Sequence, residues 1–379
     1  MILRPSGVVI GGKLELGLEL VMDGSRIDEV RPHTGKPDPY VLSPAFVNAH
    51  SHLEYRGLID AVDGDDYWAW IREITRLKPL QDLEQVRRDA HLAASENRRT
   101  GVALIAEHSD RPFAGEALAA HGIGGILFQE VITLAEHADP TDKLRQVEER
   151  AQSQRVAFGG PVALTPHAPY TVDSRTLATF AQGPVSIHVA ESAWENQLYA
   201  SNSGPIADLY RRLEIPLPPR HRSVTAYLDS LGLVRPGVQF VHGCALDGDD
   251  IDLIAERGVS VAHCPRSNAR LRCPTAPIRE LLDRGVQVGI GLDSPASSGP
   301  IDMFAEMRAA RDANPAVAAE EIWLMATEMG ARSLPGVAKQ DWRIASGSSV
   351  PLIKLSCPDA RTTDSLLEAA PEQVEFVVL

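Results

Sequence analysis

The chain has few cysteines, and their number and spacing exclude a disulfide-stabilised secreted scaffold. Its four cysteines, Cys244, Cys264, Cys273 and Cys357, form no C-x-x-C pair and are too sparse in 379 residues for a disulfide framework. They fit a reducing compartment. The first residues show no basic segment followed by an apolar one, as a secretory signal would. We therefore expect a cytoplasmic protein.

Acidic residues outnumber basic ones and long apolar runs are missing, and both features argue against nucleic-acid and membrane partners. Lysine and arginine total 37 against 51 aspartates and glutamates, a formal net charge of -14. Nucleic acid and anionic lipid surfaces both attract clustered basic residues, so we expect neither partner. No apolar run approaches the roughly 18 residues that a bilayer-spanning helix needs. The apolar fraction of 44% is ordinary for a folded globular protein.

What the sequence does contain is a series of short apolar runs that alternate with helical patterns. The eight runs are predicted strands at 44–50, 101–107, 125–131, 161–167, 184–190, 237–243, 258–264 and 285–293. Helical patterns between them include 83–99, 142–154, 251–257 and 278–284. Eight strand–helix units over about 300 residues predict an α/β fold of the (β/α)8 TIM-like barrel type, with a doubly wound open sheet as the alternative.

Both ends of the chain have the pattern of short strands rather than of strand–helix units. The segment 14–30 carries an Asp23-Gly24 turn signal between two apolar stretches, and the tail has strand-like runs at 348–356 and 374–379. We therefore predict a small β-sandwich domain formed from both termini, residues 1–43 plus 345–379. It would lie beside a catalytic barrel at 44–344.

Histidines and one aspartate fall at the ends of the predicted strands. His50 and His52 form a His-x-His pair, and side chains two residues apart on a strand point to the same side, so both can bind one metal ion. Five further candidates lie at or near the ends of later runs: His167, His188, His242, His263 and Asp293. In a barrel these strand ends meet at one rim, so we expect the side chains to converge there.

Imidazole and carboxylate ligands suit a borderline divalent cation, either zinc or iron(II). Such an ion lowers the pKa of bound water from 15.7 to about 7, which would supply hydroxide for a hydrolytic reaction. The H-E-x-x-H helix of zincin proteases is absent. No P-C-x-x-C follows His52-Leu53-Glu54, which disfavours a zinc site of the cytidine-deaminase type. We expect one divalent metal ion, zinc in preference to iron.

Six segments, taken together and in this order, resemble the motifs of one family. They are VNAHSHLE, LTPHAPYTV, IHVAES, FVHG, HCPRSN and GLDSPASSG. On them the chain is identified as a member of the amidohydrolase superfamily, in its mononuclear deaminase branch, and the resemblance covers essentially the whole length. It implies that His50, His52, His188 and Asp293 hold the metal. It also implies that His167 stands where binuclear members carry a bridging carboxylated lysine, so one metal is expected.

The resemblance also implies which groups move protons. Glu191, three residues after His188, would shuttle a proton from metal-bound water to the ring nitrogen and then to ammonia, a transfer that hydrolytic deamination requires. His242 would orient or polarise the hydroxide together with Asp293, which would be both ligand and hydrogen-bond acceptor. A helix N-terminus also favours glutamate, so a purely structural Glu191 stays open.

Substrate contacts are predicted for several side chains from their positions beside the strand ends. His167 is similar to the position that contacts the sugar in adenine-nucleoside deaminases. Glu54 lies in the loop after the first strand, and beyond it Trp68 and Trp70 could stack on an aromatic ring, although at least one could be core. Arg266 follows the seventh strand and could bind a carboxylate through two nitrogens, or could be a plain surface residue.

HVAES, HCPRSN and LDSPASSG together are most similar to aminodeoxyfutalosine deaminases. That resemblance implies conversion of 6-amino-6-deoxyfutalosine, a benzoate-bearing nucleoside of menaquinone biosynthesis, to futalosine and ammonia by attack of metal-bound hydroxide at C6. The alternatives are deaminases of S-adenosylhomocysteine, methylthioadenosine or adenosine, and hydrolases of cyclic amides or triazines on the same scaffold. A metal-free structural protein is a further alternative, which the complete ligand set disfavours. The family also suggests a homo-oligomer, a dimer or larger.

Overall fold

The computed structural model describes residues 1–64, 66–337 and 341–378. The strands are β1 (Ile2–Leu3), β2 (Pro5–Ile10), β3 (Lys13–Leu16), β4 (Leu18–Asp23), β5 (Arg26–Pro32), β6 (Asp38–Pro44), β7 (Phe46–Ser51), β8 (Val102–Ser109), β9 (Gly124–Val131), β10 (Val162–Pro166), β11 (Val185–Val189), β12 (Val238–His242), β13 (Ser260–His263), β14 (Val288–Ile290), β15 (Leu352–Leu355) and β16 (Val374–Phe376).

The α-helices are α1 (Tyr67–Leu77), α2 (Leu83–Arg99), α3 (Ala114–Ala120), α4 (Thr141–Phe158), α5 (Ser174–Ala178), α6 (Ala193–Ser201), α7 (Gly204–Arg212), α8 (Val224–Ser230), α9 (Gly248–Arg257), α10 (Pro265–Arg270), α11 (Ile278–Asp283), α12 (Pro295–Ser298), α13 (Met303–Ala313), α14 (Ala319–Met325), α15 (Glu328–Ser333) and α16 (Thr363–Leu367). Short 3-10 segments are Leu53–Leu58, Lys78–Leu80 and Pro371–Gln373. Within the described ranges, no helix combines the length and apolar character needed to cross a membrane.

Eight parallel strands form the barrel as two four-stranded sheets. The first sheet has the order β10-β9-β8-β7 and the second has the order β11-β12-β13-β14. Several of these strands, β7, β8, β11 and β12 among them, are buried at every residue, as expected of parallel strands that helices cover. All eight lie where the apolar runs predict them, and the predicted (β/α)8 barrel is confirmed.

Backbone hydrogen bonds that involve candidate site residues join the two sheets at both edges. At one seam the His188 amide in β11 donates to the His167 carbonyl just after β10 (3.0 Å). At the other, the Asp293 amide donates to the His50 carbonyl (2.9 Å) and the His52 amide donates to the Asp293 carbonyl (3.3 Å). A sheet joined at both seams is closed, which excludes the doubly wound open sheet. The seams coincide with the rim at which the histidines lie.

Strands from both ends of the chain share one sheet beside the barrel. It is five-stranded, in the order β16-β15-β6-β2-β3, and a three-stranded sheet in the order β1-β4-β5 accompanies it. The C-terminal β15 pairs with β6 so that Leu352 lies opposite Pro44. The predicted turn joins β4 to β5 as a hairpin, with Asp23 opposite Arg26. The β domain from both termini is thus present, and its bounds at 1–43 and 345–379 stay a prediction.

A buried carboxylate holds three segments of these sheets together. Glu19 in β4 accepts hydrogen bonds from Arg4 Nε (3.0 Å), from Arg31 Nε (2.9 Å) and from Thr34 Oγ1 (2.8 Å). Burial alone would raise the pKa of Glu19, but the hydrogen bonds from Thr34 and Arg31 outweigh it and lower the pKa to about 2. The folded protein therefore favours the charged form of this side chain.

We expect Glu19→Gln to lower the thermal stability at neutral pH, and the difference from the unaltered protein to shrink in acid. The folded-state pKa lies below the ordinary 4.5, so the stabilisation is complete above pH 4.5 and disappears as the pH falls towards 2. Unfolding midpoints measured across this range provide the check. Glu29→Gln is the matched control, because Glu29 also bonds Arg31 (3.0 Å) but is exposed. Equal effects of both variants would contradict the role of Glu19.

Candidate metal centre and cavity

The four predicted metal ligands come together at the C-terminal rim of the barrel. β7 contains His50 and is followed directly by His52, β11 contains His188, and Asp293 follows β14. The donor atoms of His50, His52 and Asp293 lie within 4.8 Å of one another, and so do those of His50, His188 and His242. His50 belongs to both groups, so the two groups form one cluster.

The spacing of these donor atoms fits a divalent cation. His50 Nε2 lies 3.5 Å and His52 Nε2 lies 3.8 Å from Asp293 Oδ1. Zinc ligands about 2.0–2.2 Å from the ion in tetrahedral geometry lie roughly 3.4 Å apart. His50 Nε2 is buried and has no hydrogen-bond partner among the described residues, a costly state that a cation would relieve. The residues present therefore fit the divalent metal ion that the sequence motifs predict.

Hydrogen bonds at Nδ1 leave Nε2 of three site histidines available. Nδ1 of His52 lies 3.0 Å from one backbone carbonyl oxygen, and Nδ1 of His188 lies 2.6 Å from another. Nδ1 of His242 lies 2.9 Å from the side-chain oxygen of Asn268. Because a carbonyl oxygen accepts only, each Nδ1 carries the proton, and each Nε2 keeps the lone pair that a metal or a water proton can use.

Burial and mutual repulsion keep these imidazoles neutral. Burial first, and neighbouring histidines second, lower the pKa of His50 and of His52 well below 6.5. Burial and then His242 lower the pKa of His188 to about 4. Burial would raise the pKa of Asp293, but His242 and His52 outweigh it and hold that pKa below 3.8. Neutral imidazoles and an ionised carboxylate are the protonation states that metal binding requires.

Three residues at the rim adopt a left-handed backbone conformation. Ala190 and Asp293 have φ of 52°, and His242 has φ of 72°. Such a conformation costs a residue other than glycine about 1–3 kcal/mol and persists only where the surroundings hold it. At Asp293 the hydrogen bonds of the barrel seam hold it. The bends follow β11 and β14 and end β12, and the side chains of His242 and Asp293 line the cavity there.

Glu191 follows the bend after β11 and lines the cavity. Burial raises its pKa well above 4.5, and the charge of Asp293 adds to the shift. Its Oε1 lies 3.6 Å from His242 Nε2. The Glu195 carboxyl holds the bend, because it accepts hydrogen bonds from the amides of Ala190 (3.0 Å) and Glu191 (2.8 Å). Ser192 and Glu195 match the S-x-x-E capping box, a signal from which the role of Glu195 could have been predicted.

A cavity of about 370 Å³ lies in front of the cluster, within the range of about 300–1,000 Å³ that small-molecule sites occupy. Helix α1 contributes Trp70 to its lining, and the Trp70 indole donates to the Ala296 carbonyl (3.2 Å). His167 also lines the cavity, with Nδ1 3.0 Å from Thr171 Oγ1. Trp68 lies outside the lining and packs edge-on against another tryptophan, with ring centroids 6.2 Å apart. Of the two predicted stacking residues, Trp70 is thus the one positioned to meet a ligand.

Two residues predicted to contact the substrate, Glu54 and Arg266, lie outside the cavity lining. Glu54 accepts hydrogen bonds from the backbone amides of Arg111 and Phe113 (2.9 Å each), and so anchors the loop before α3. Arg266 Nη1 donates to a backbone carbonyl (2.8 Å) and lies 3.7 Å from the buried Glu306 carboxylate. Both side chains are thus engaged with protein groups, and neither lines the cavity.

The sequence reasoning missed charged and phenolic groups that line the cavity: Tyr67, Lys78, Asp110 and Arg111. The Tyr67 hydroxyl is hydrogen-bonded to the hydroxyl of Tyr170 (2.5 Å), which also lines the cavity. Lys78 Nζ lies 2.5 Å from Asp110 Oδ2, and Arg111 Nε lies 3.9 Å from Asp110 Oδ1. The side chains of Lys78 and Arg111 are 18% and 32% exposed, so these cations lie nearer to solvent than the buried metal cluster. No motif marks them, and their only signal is that they follow the first and second barrel strands.

The chain is similar to a known protein family and to known relatives over most of its length. Residues 41–335 match the model of the Amidohydrolase family. A 5-methylthioadenosine/S-adenosylhomocysteine deaminase from Thermococcus kodakarensis is 31% identical over 372 residues, which cover 90% of this chain and 79% of that protein. The family match therefore includes every barrel strand and every candidate ligand.

Two solved structures are similar over nearly the whole chain. An adenosine deaminase from Xanthomonas campestris with bound zinc superposes with a TM-score of 0.80 at 26% identity, covering 98% of this chain and 90% of that one. Helicobacter pylori aminofutalosine deaminase, in complex with methylthio-coformycin, superposes with a TM-score of 0.84 over 100% of both chains. At 19% identity the second likeness shows a shared fold.

The closed barrel with a divalent-cation site at its C-terminal rim defines a metal-dependent hydrolytic enzyme. The chain belongs to the amidohydrolase family. The predicted family, fold class and enzymatic nature are thereby confirmed.

Proposed function

We propose that this protein is a hydrolytic deaminase of an adenine-type nucleoside and that its substrate is 6-amino-6-deoxyfutalosine. The observation that carries the proposal is the Glu191 carboxyl, which faces the cavity beside His242 and Asp293. Hydrolytic deamination exchanges the C6 amino group for oxygen, and some group must take a proton from water and return it to the leaving amine. One carboxyl in this position can do both. The similarity to a nucleoside deaminase at 31% identity supports the same reaction.

The metal would be held by His50, His52, His188 and Asp293, and we propose zinc because a similar deaminase structure contains it. When bound, zinc acts as a Lewis acid that lowers the pKa of water from 15.7 to about 7. Within the chain, Ser297 Oγ donates to Asp293 Oδ2 (3.0 Å). That bond leaves Asp293 Oδ1 directed at the histidines and fixes the orientation of the carboxylate.

Glu191 would carry the proton through the reaction. It accepts one proton from the attacking water and delivers it to ring nitrogen N1. It then takes the second proton from the resulting C6 hydroxyl and passes it to the amino group, which leaves as ammonia while the C6 carbonyl forms. Burial raises the pKa of this carboxyl, which favours its uptake of a proton from water. His242 Nε2, which lies 3.6 Å from Glu191 Oε1, offers an acceptor to water. Water and the aminopurine are thus converted to the oxopurine and ammonia.

The charges at the outer part of the cavity favour a substrate with an anionic substituent. Lys78 and Arg111 contribute two positive charges there, and Asp110 neutralises one of them. The benzoate of aminodeoxyfutalosine would meet the remaining positive charge, and so would the carboxylate of S-adenosylhomocysteine. Methylthioadenosine and adenosine have no such group. The carboxylate-binding role that the sequence suggested for Arg266 is therefore proposed for Lys78 and Arg111.

A methylthioadenosine or S-adenosylhomocysteine deaminase is the second candidate, and the 31% identical relative favours it. Ammonia release by the zinc-loaded protein separates the two when aminodeoxyfutalosine, S-adenosylhomocysteine, methylthioadenosine and adenosine are compared. Preference for aminodeoxyfutalosine would support the proposal. Preference for another of these nucleosides would keep the reaction and replace the substrate. A metal-loaded protein that releases no ammonia from any of them would contradict the deaminase function and make triazines and cyclic amides the next substrates.

We expect Arg111→Gln to raise KM for aminodeoxyfutalosine about 10-fold or more, and to change KM for methylthioadenosine little. A hydrogen bond to a charged group contributes about 1.5–3 kcal/mol, and about 1.4 kcal/mol corresponds to tenfold in affinity. Steady-state kinetics on both substrates provide the measurement. Arg266→Gln is the matched control, because that guanidinium lies outside the cavity lining. An equal rise in KM for both substrates would contradict the proposed role of Arg111.

A further inference from the structure

His108, in β8, contacts both histidines of the His-x-His pair. Its ring Nδ1 lies 3.0 Å from His50 Nδ1, and its backbone carbonyl oxygen lies 3.0 Å from His52 Nδ1. The residue is 1% exposed, so water does not compete for either contact. The contact with His52 involves the backbone and is retained whatever the side chain. Only the contact with His50 depends on the imidazole of His108.

The contact between two Nδ1 atoms leaves His50 two possible tautomers. A hydrogen bond needs one donor and one acceptor, so one of the two Nδ1 atoms carries the proton. If His50 donates, its Nε2 keeps a lone pair, and this is the atom 3.5 Å from Asp293 Oδ1. If His50 accepts, its proton lies on Nε2 and no lone pair remains there for a cation. Metal binding therefore requires His108 to be the acceptor.

We propose that His108 is a positioning residue that holds His50 in the tautomer with its proton on Nδ1 and so presents Nε2 to the metal ion. The ring of His108 is itself held in place, because Phe128 stacks on it with centroids 5.1 Å apart. Metal-binding histidines ordinarily donate their second N–H to a carboxylate, a backbone carbonyl or water. Here a second imidazole takes that position. The inference rests on the metal site of the proposed function, and is independent of which nucleoside is the substrate.

Two substitutions at His108 distinguish the effect of its hydrogen-bond acceptor from the effect of its packing. In His108→Asn, the amide oxygen occupies the same δ1 position along the side chain as the imidazole nitrogen, and it accepts from His50. In His108→Leu, apolar bulk remains and the acceptor is lost. Loss of such a partner typically lowers metal affinity about 10–100-fold. We expect the zinc dissociation constant to rise by that factor in His108→Leu and to stay within a few-fold in His108→Asn.

Zinc affinity is measured by competition with a chromogenic chelator, starting from stripped protein. Thermal unfolding of each metal-free variant shows any general damage to the fold. Weaker zinc binding in both variants to the same degree, or unchanged binding in His108→Leu, would overturn the positioning role. Zinc binding by the unaltered protein without ammonia release would overturn the deaminase function alone, whereas no zinc binding by the unaltered protein would overturn both.

Discussion

Glu191→Gln is expected to keep the metal ion and to lose about 10²–10⁴-fold or more in kcat. The amide has nearly the same shape but cannot take up and release the proton, and one carboxyl would serve two proton transfers. Glu191 is not among the proposed ligands, so its replacement leaves the donor cluster complete. Steady-state kinetics and metal analysis on the same preparation give both quantities. Near-normal turnover would refute the proton-carrier role.

Glu306 offers a matched control for this substitution. It is also buried, burial raises its pKa to about 8, and its carboxylate lies beside Arg266 rather than in the cavity. Glu306→Gln makes the same replacement of a carboxyl by an amide in a similarly buried place. We expect it to change stability more than kcat. A comparable loss of kcat in both variants would mean that Glu191 acts through the fold and does not itself move protons.

His50→Ala is expected to abolish metal binding and activity together. Its imidazole is fully buried and belongs to two of the three groups of donor atoms, the third being His52, Glu130 and His188, so its loss opens both groups that contain it. Removing a mere partner of a ligand costs about 10–100-fold in metal affinity, and removing a ligand costs more. Metal content after dialysis and ammonia release from the preferred nucleoside provide the measurements.

His263→Ala controls for the loss of a buried imidazole from a barrel strand. His263 ends β13, and it belongs neither to the donor cluster nor to the cavity lining. We expect that variant to retain its metal. Circular dichroism on both variants checks that the barrel remains folded. A stoichiometric metal ion in folded His50→Ala would show that the cluster does not bind metal as proposed.

Local patterns predicted the strands and the positions of the candidate ligands, whereas the roles of other side chains depend on distant parts of the chain. The histidines lie at the ends of apolar runs and follow the period of two, and both signals are local. Glu54 and Arg266 were assigned to the substrate because their actual partners lie far along the sequence. Those partners are the amides that follow β8 and the Glu306 carboxylate.

The role of His108 was not predictable for a related reason. Glu107 and His108 are adjacent in β8, so their side chains point to opposite faces, and the sequence does not show which face meets the ligands. The pairing of β7 with β8 is irregular between Asn48 and Ser51, which changes the register at this point. As a result Glu107 accepts a hydrogen bond from the Leu53 amide (2.8 Å), and the His108 ring faces His50.

The seam between β7 and β14 joins the first and last strands of the barrel. The side chain of Asn48 accepts a hydrogen bond from the Leu292 amide, 244 residues further on, and Asp293 lies directly beyond it. A growing chain that emerges from the ribosome in order therefore exposes the His-x-His pair long before the carboxylate exists. Until then the nascent protein can offer a metal ion only part of the ligand set. The complete ligand set therefore exists only after the last strand of the barrel has been made.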